Sequence, residues 1–356
     1  MTKILIVDDS ALMRRQLTAM FEEVGGFQIR TARTGKEAVD ENRNFQPDVV
    51  TLDINMPEMD GITALSLIMA ERPVPVVMVS SLTEKGALAT FEALHLGAVD
   101  YIAKPGGTIS LSMGEIKDEL LAKIKAAARS KPKSKTSSVK GLAERLREER
   151  AKPVARPIAF RRGPASQGLV LIGVSTGGPR TLEEVLPLLP ANFPWPILVA
   201  QHMPAAFTRS FADRLNSLCE LNVVEASSPM PIEAGTIYVG KGGADMTLVQ
   251  RAGKMMVIPK PENKQFLWHP SVELMGRSAL ENYDPACLIG VMLTGMGYDG
   301  ADAFAEIKKL GGRTIAESEE TAVVFGMPAE LIERGGANLV LPVEKIAAQL
   351  NLWAGR

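Results

Sequence analysis

Ser175 closes the apolar run Leu169 to Val174 and sits in Gly173-Val174-Ser175-Thr176-Gly177. A Leu/Val/Ile run bounded by glycine suits a strand buried on both faces, and a serine between glycines at its end matches the strand-to-helix elbow that presents a nucleophilic hydroxyl. The glycines permit a tight turn, and the following helix N-terminus offers free N–H groups and a positive dipole end beside the hydroxyl. Taken alone, the pattern fits better a glycine-rich anion-binding turn or a βα connection with a capping serine. Chemistry at Ser175 requires a base and an orienting carboxylate beside it.

Two more strand ends supply those types. The run Ile197 to Gln201 delivers His202, and Ile289 to Leu293 delivers Thr294-Gly295-Met296-Gly297-Tyr298-Asp299. If the three strands are neighbours, Ser175, His202 and Asp299 meet at one sheet edge as nucleophile, base and orienter. Their chain order is Ser, His, Asp, which departs from the Ser, Asp, His order of α/β hydrolases and argues against that superfamily. The 3 histidines restrict the choice of base. His95 falls in a helical stretch and reads as structural. His269, in a turn before Pro270, competes with His202 but follows no clear apolar strand.

A different chemistry is gathered near the N-terminus. Asp8 and Asp9, Asp53, Ser80 and Lys104 follow the apolar runs Ile4 to Val7, Val49 to Leu52, Val76 to Val79 and Val99 to Ile102. Strand ends are where ligand sites form in open parallel sheets. Three crowded carboxylates imply a hard cation, and Mg²⁺ takes a few carboxylate oxygens plus water. One aspartate after a strand is ordinarily a turn or cap residue; the repetition at successive strand ends argues for a site.

The elements that must position both clusters follow from pattern. A chain of 356 residues with 46% hydrophobic residues suits two globular domains. Apolar runs alternating with amphipathic stretches such as Ser10 to Val24 predict a doubly wound parallel α/β sheet over residues 1–125. After the helical Glu115 to Ala128, the composition turns to Arg, Lys, Ser and Pro, so 126–166 reads as a solvated linker in which Glu144 to Arg150 forms one exposed helix. Residues 167–356 resume the alternation as a second parallel α/β domain. Within it TIYVG, MTLVQ and KMMVI, between Thr236 and Ile258, predict an antiparallel hairpin or edge extension.

Composition excludes some partners. With 40 basic and 41 acidic residues the net charge of -1 gives no bulk field toward nucleic acid or anionic membrane. The linker's basic cluster lacks interleaved aromatics, and no helix-turn-helix in a basic context follows it. No apolar run approaches the ~20 residues of a membrane span, and the start MTKILIVDD lacks the basic and apolar regions of a signal peptide. A cytoplasmic protein without membrane insertion is expected. The 2 cysteines, Cys219 and Cys287, have no metal-ligand spacing and read as core thiols.

The segments IVDDSALMR, LDINMPEMDG, VVMVSS and YIAKP resemble the receiver domain of two-component response regulators, over roughly the first domain. The resemblance implies a flavodoxin-like receiver in which Asp53 accepts a phosphoryl group. It implies that Asp8, Asp9, Asp53 and the Asn55 main-chain carbonyl hold Mg²⁺, that Ser80 and Lys104 contact the phosphate, and that Tyr101 moves with it. A phosphoryl group adds about -1.5 to -2 charge, so such a domain is a switch.

Further along, GVSTGGP, QHMPAAFTRSFADRLN, HPSVE, LTGMGYDGADA and VVFGMPAELIERGGA jointly resemble the chemotaxis protein-glutamate methylesterase and glutaminase family, CheB. That resemblance implies Ser175 as nucleophile, His202 as base, Asp299 as the group holding the imidazole, Thr176 beside the nucleophile and the Met296 N–H in the oxyanion hole. It also implies, as substrates, γ-glutamyl methyl esters and some glutamines on the cytoplasmic helices of chemoreceptors. A chemotaxis histidine kinase would be the phosphodonor, the enzyme would be recruited to receptor arrays, and the esterase would need no cofactor. The unphosphorylated receiver would restrain the activity. Tyr298, His269 and Asp245 stand where the family commonly has Asn, Arg and His, which bears on receptor preference and glutaminase strength. A phosphorylation-dependent binding module without turnover is the competing class.

Overall fold

Five of the N-terminal segments form parallel strands, four of them centred on apolar runs between polar turns. The computed structural model describes residues 1–81, 83–104, 109–129 and 168–355. Of the expected linker 126–166, residues 130–166 and the Glu144 to Arg150 helix lie outside the described residues.

The first domain contains β1 (Thr2–Val7), α1 (Ala11–Val24), β2 (Phe27–Ala32), α2 (Gly35–Asn44), β3 (Val49–Asp53), α3 (Gly61–Glu71), β4 (Val76–Ser80), α4 (Glu84–Leu96), β5 (Asp100–Ala103) and α5 (Ile109–Arg129). Its strand order is β2-β1-β3-β4-β5, all parallel. β2 has no all-apolar run because it is an edge strand, half-exposed over most of its length. The first four helices start where a side chain caps them. Ser10, Thr34, Asp60 and Thr83 each accept a hydrogen bond from a first-turn N–H, worth about 1 kcal/mol each. These caps set short loops after the strands and keep the acidic residues and Lys104 at the carboxyl edge.

The second domain contains β6 (Leu169–Val174), α6 (Gly178–Val185), β7 (Ile197–Gln201), α7 (Ala205–Leu218), β8 (Asn222–Ala226), β9 (Met230–Pro231), β10 (Thr236–Gly240), β11 (Ala244–Arg251) and β12 (Lys254–Pro261). It continues with α8 (Val272–Asn282), β13 (Leu288–Met292), α9 (Ala301–Lys309), β14 (Arg313–Glu317), α10 (Met327–Glu333), β15 (Leu339–Leu341) and α11 (Val343–Ala354). Seven strands form a parallel sheet, β15-β14-β13-β6-β7-β10-β8, and β11-β12-β9 form a separate antiparallel one. The chain builds outward from β6 through β7, then crosses to β13 on its other side. The carboxyl ends of β13, β6 and β7 therefore flank a topological switch point.

Two expectations are corrected. TIYVG is not part of the hairpin: it is β10, buried throughout and parallel to both β7 and β8, and only β11 and β12 pair as the hairpin arms. A strand sealed on both faces reads like its hairpin neighbours in sequence; here Tyr238 joins the core of Met246, Leu248 and Val257, and Ile237 and Val239 join that of Phe207 and Phe211 on α7. Cys219 and Cys287 are half-buried rather than core thiols; Cys219 is pushed up to about 12 by burial and then by Glu183, which leaves it a poor nucleophile.

The two domains share a packed aromatic seam. Phe91 of α4 meets Phe211 of α7 with ring centroids 5.4 Å apart, and Tyr101 of β5 stacks on Phe207 of α7 at 4.8 Å. Phe91, Tyr101, Phe207 and Phe211 are all buried. Beside them, His95 on α4 lies 3.7 Å from Glu183 on α6. His95, read from sequence as a structural residue, is thus half-exposed at the domain seam.

Candidate active site

Ser175 leaves β6 on a turn that is fixed from three sides. Its N–H donates to Thr294 O at 3.0 Å, its carbonyl accepts from Gly178 N at 2.8 Å, and Gly177 adopts φ 78° at the start of α6. The Gln201 amide donates to the carbonyls of Ser175 and His202, at 2.9 and 3.0 Å. One buried amide thus ties the serine turn to the histidine turn. His202 N donates to Val174 O at 3.1 Å, so the two strand ends are stitched directly as well.

Asp299 reaches the imidazole from the other flank of β6. His202 Nε2 lies 2.9 Å from Asp299 Oδ2. The same carboxylate accepts from Ser271 Oγ at 3.0 Å, Val272 N at 2.7 Å and Glu273 N at 3.0 Å, at the N-terminus of α8. Burial opposes its charge, but the His202 hydrogen bond and charge and the two backbone N–H groups outweigh it and hold the carboxyl below its ordinary value. An ionised carboxylate only accepts, so Nε2 carries the imidazole proton of the neutral ring and Nδ1 is the basic nitrogen. Nδ1 is buried and has no hydrogen-bond partner.

The loop after β13 supplies further donors. Thr294 N donates to the buried Glu317 at 2.8 Å, and Thr294 Oγ1 donates to Thr176 O at 2.9 Å. Gly295 N donates to Val324 O, and Gly295 O accepts from Gly326 N and Met327 N. Between these anchors and Gly297, with φ 87°, the Met296 N–H has no hydrogen-bond partner among the described residues. Sequence reading missed Gln201, Ser271, Thr294 and Glu317. Gln201 and Glu317 did carry a signal, as polar residues terminating apolar strands.

The remaining candidates are placed elsewhere. His269, the competing histidine, belongs to a second pair: its Nδ1 lies 2.8 Å from Asp245 Oδ1, and the buried Asp245 also accepts from Ser271 N and Asn263 N, each at 2.9 Å. Two of the three positions noted as unusual are therefore partners in one buried pair. The third, Tyr298, is exposed.

In the first domain, one carboxylate oxygen from each of Asp8, Asp9 and Asp53 lies within 4.8 Å of the others. Lys104 Nζ is 3.0 Å from Asp8 and 2.8 Å from Asp53. Burial pushes the Asp53 carboxyl up, against the hydrogen bond and charge of Lys104. Asn55 follows within the same turn, its N–H 3.4 Å from Asp53 Oδ1, and Ser80 Oγ donates to Gly86 O at 3.2 Å. Three clustered carboxylates with only hard oxygen donors fit Mg²⁺.

Tyr101 lies at the domain seam, stacked on Phe207. Its hydroxyl is buried without a partner, and Lys123 lies 5.1 Å from its ring centroid. Its neighbour Asp100 is pushed up by burial, against Lys123, the Tyr101 N–H and the Thr176 hydroxyl of the second domain. Thr176 Oγ1 is buried and faces that carboxylate without a hydrogen bond of good geometry.

Residues 170–350 match the family model described as CheB methylesterase, and residues 4–112 match the response regulator receiver domain. The chain belongs to the CheB methylesterase family. It is 56% identical over 364 residues to the protein-glutamate methylesterase/protein-glutamine glutaminase 3 of Rhodospirillum rubrum, covering 100% of this chain and 97% of that one. It is 53% identical to a second such protein, from Rhodopseudomonas palustris, covering 99% and 98%. The crystal structure of the Thermotoga maritima CheB methylesterase catalytic domain superposes with TM-score 0.51 at 43% identity, covering 53% of this chain and 99% of that domain. The protein is therefore an α/β CheB enzyme, a receiver followed by a methylesterase domain. Among the described residues no helix is long and apolar enough to cross a membrane.

Proposed function

We propose that this protein-glutamate methylesterase and protein-glutamine glutaminase works through Ser175, His202 and Asp299, and that its receiver restrains it until Asp53 is phosphorylated. The observation that carries the reading is the Asp299 carboxylate: three donors fix it, it binds His202 Nε2, and it leaves Nδ1 as the free base.

His202 Nδ1 takes the Ser175 proton as Oγ attacks the γ-carbonyl of a glutamyl methyl ester or glutamine. The Met296 N–H donates to the oxyanion, with Thr176 beside it. The protonated imidazole then gives its proton to the leaving methanol or ammonia. Water, activated by the same nitrogen, hydrolyses the glutamyl-serine ester to free glutamate. Ester and amide cleavage share this tetrahedral course, so one site serves both. No step calls for a group beyond these side chains and backbone donors.

The receiver supplies control. Asp8, Asp9, Asp53 and the Asn55 carbonyl would hold Mg²⁺, which neutralises phosphoryl charge when bound. Lys104 and Ser80 then turn toward the phosphate on Asp53. Pulling Lys104 and Ser80 toward it draws on β4 and β5, and Tyr101, one residue into β5, loses its place on Phe207. The seam beside Thr176 loosens. A complete switch from 1:99 to 99:1 needs about 5.5 kcal/mol of differential stabilisation, and a smaller bias gives graded activation.

The substrates are side chains on cytoplasmic chemoreceptor helices, the phosphodonor is a chemotaxis histidine kinase, and the enzyme acts in the cytoplasm at receptor arrays. The test is methanol release from methyl-labelled receptor membranes by the protein and its Ser175→Ala form, with and without a small phosphodonor and Mg²⁺. Release that depends on Ser175 and rises with phosphodonor is expected. Folded, phosphorylated protein that releases no methanol would instead support a binding module.

A further inference from the structure

Trp268 lies flat on the imidazole of His202. The ring centroids are 5.8 Å apart and the planes differ by 5°. Tyr298 also meets the indole edge-on, at 5.3 Å and 87°. The indole also rests on Gly297, the residue after Met296: a Cβ there would come within 2.6 Å of the indole carbon Cζ2. One side chain therefore touches both the imidazole and the loop that carries the free Met296 N–H.

The segment carrying Trp268 is irregular, yet it is tied down. The buried Asp245 accepts from Asn263 N on one side of Trp268, binds His269 directly after it, and accepts from Ser271 N beyond. These bonds bracket residues 263–271, so the indole is held by a clamp and not by its own stacking alone. Asp245 and His269 thus pin the backbone on either side of Trp268.

His202 needs such a contact. Its single side-chain hydrogen bond, Nε2 to Asp299, fixes one atom but leaves the tilt of the ring, and with it the direction of Nδ1, which has no hydrogen-bond partner of its own, to other contacts. A parallel aromatic face fixes the plane. It also shields one face of the ring from water.

Resting on the catalytic reading given above, we propose that Trp268 is a positioning residue: it sets the plane of the His202 imidazole and so aims Nδ1 at Ser175. The assigned role concerns activation of the nucleophile, not receptor binding, and the two separate experimentally.

The decisive experiment uses the full chain with phosphodonor and Mg²⁺, and follows covalent labelling of Ser175 by a small serine-directed phosphonate alongside kcat and KM for methanol release. Trp268→Ala should slow labelling and lower kcat by about 10- to 100-fold, the scale on which misplacement of a catalytic group acts. Trp268→Phe, which keeps an aromatic face, should retain most of the rate. In a His202→Ala background Trp268→Ala should cost little more, because its target is already gone. Wild-type labelling by Trp268→Ala, with any loss confined to KM, overturns the proposal, as does an equal loss in both backgrounds. If the alanine form fails to fold by circular dichroism, Trp268→Leu keeps part of the apolar volume without an aromatic face and carries the same two outcomes. Failure of the catalytic reading itself looks different: wild-type protein would not be labelled at Ser175, or Ser175→Ala would still release methanol.

Discussion

Asp53 and Asp299 are both buried aspartates at the carboxyl edge of a parallel sheet, and they are held in opposite ways. Asp53 sits among Asp8 and Asp9 with one ammonium, Lys104, bridging it to Asp8. Asp299 instead meets the His202 imidazole, Ser271 Oγ and two backbone N–H groups of α8. Burial wins at Asp53 and pushes it up; the donors win at Asp299 and hold it down. A carboxylate fixed by oriented neutral donors keeps its charge and its direction, as a catalytic orienter must. One balanced between like charges and a single ammonium must rearrange its partners whenever its charge changes, which suits a switch.

The largest expected effect comes from turning the fixed carboxylate into a neutral one. Asp299→Asn should lower phosphodonor-stimulated methanol release by ~10⁴-fold, the loss seen when an orienter no longer enforces the tautomer. Phosphorylation of Asp53 should proceed as in the wild type. Asp53→Asn should do the reverse: the response to phosphodonor disappears while basal release persists at the wild-type level. If Asp53→Asn also removed basal release, the two sites would not be separable and the contrast would fail.

A smaller effect tests the donors. Ser271→Ala removes one hydrogen bond to a charged acceptor, worth about 1.5–3 kcal/mol, so kcat should fall about 10- to 100-fold with KM unchanged. The acid limb of stability should report the same arrangement. Because Asp299 is held below its ordinary value, its contribution is fully present above the unfolded carboxylate value near 3.9 and is lost as pH falls through the lower folded one. Thermal melting of the wild type should therefore fall below about pH 4 more steeply than that of Asp299→Asn.

Sequence was informative where chemistry coincides with a strand end. Ser175, His202 and Asp299 follow β6, β7 and β13, and those strands are adjacent, so periodicity alone brings the three toward one edge. The same logic located Asp8, Asp53 and Lys104. It failed where the partner comes from a region without a period. Ser271 caps α8 from an irregular turn, Trp268 lies in the loop before it, and nothing in local pattern says that either reaches across to β13 or β7. TIYVG failed for a related reason: five buried residues look alike in a hairpin and in a central parallel strand, and only the sheet around them decides. The aromatic seam was equally silent, because Phe91, Phe207 and Phe211 occupy the buried faces of ordinary amphipathic helices and any of them could have packed within its own domain.

The smallest effect probes that seam away from both centres. His95 on α4 faces Glu183 on α6 at 3.7 Å, and Glu183 also pairs with Arg214. Burial opposes the charge on Glu183, but His95 and Arg214 outweigh it and hold the carboxyl below its ordinary value. The Arg214 pair lies wholly within the second domain, so only the His95 contact spans the two. His95 is half-exposed and its pairing is therefore screened, worth about 0.2–1 kcal/mol. His95→Gln should accordingly raise basal methanol release only about 1.5- to 5-fold, with the phosphorylated rate unchanged, whereas Phe91→Ala, which empties the aromatic contact with Phe207 and Phe211, should raise it further. A His95→Gln effect larger than that of Phe91→Ala would mean that charge, and not the buried aromatic seam, sets the resting state, and the division of labour between a fixed catalytic site and an electrostatic switch would have to be redrawn to include the interface.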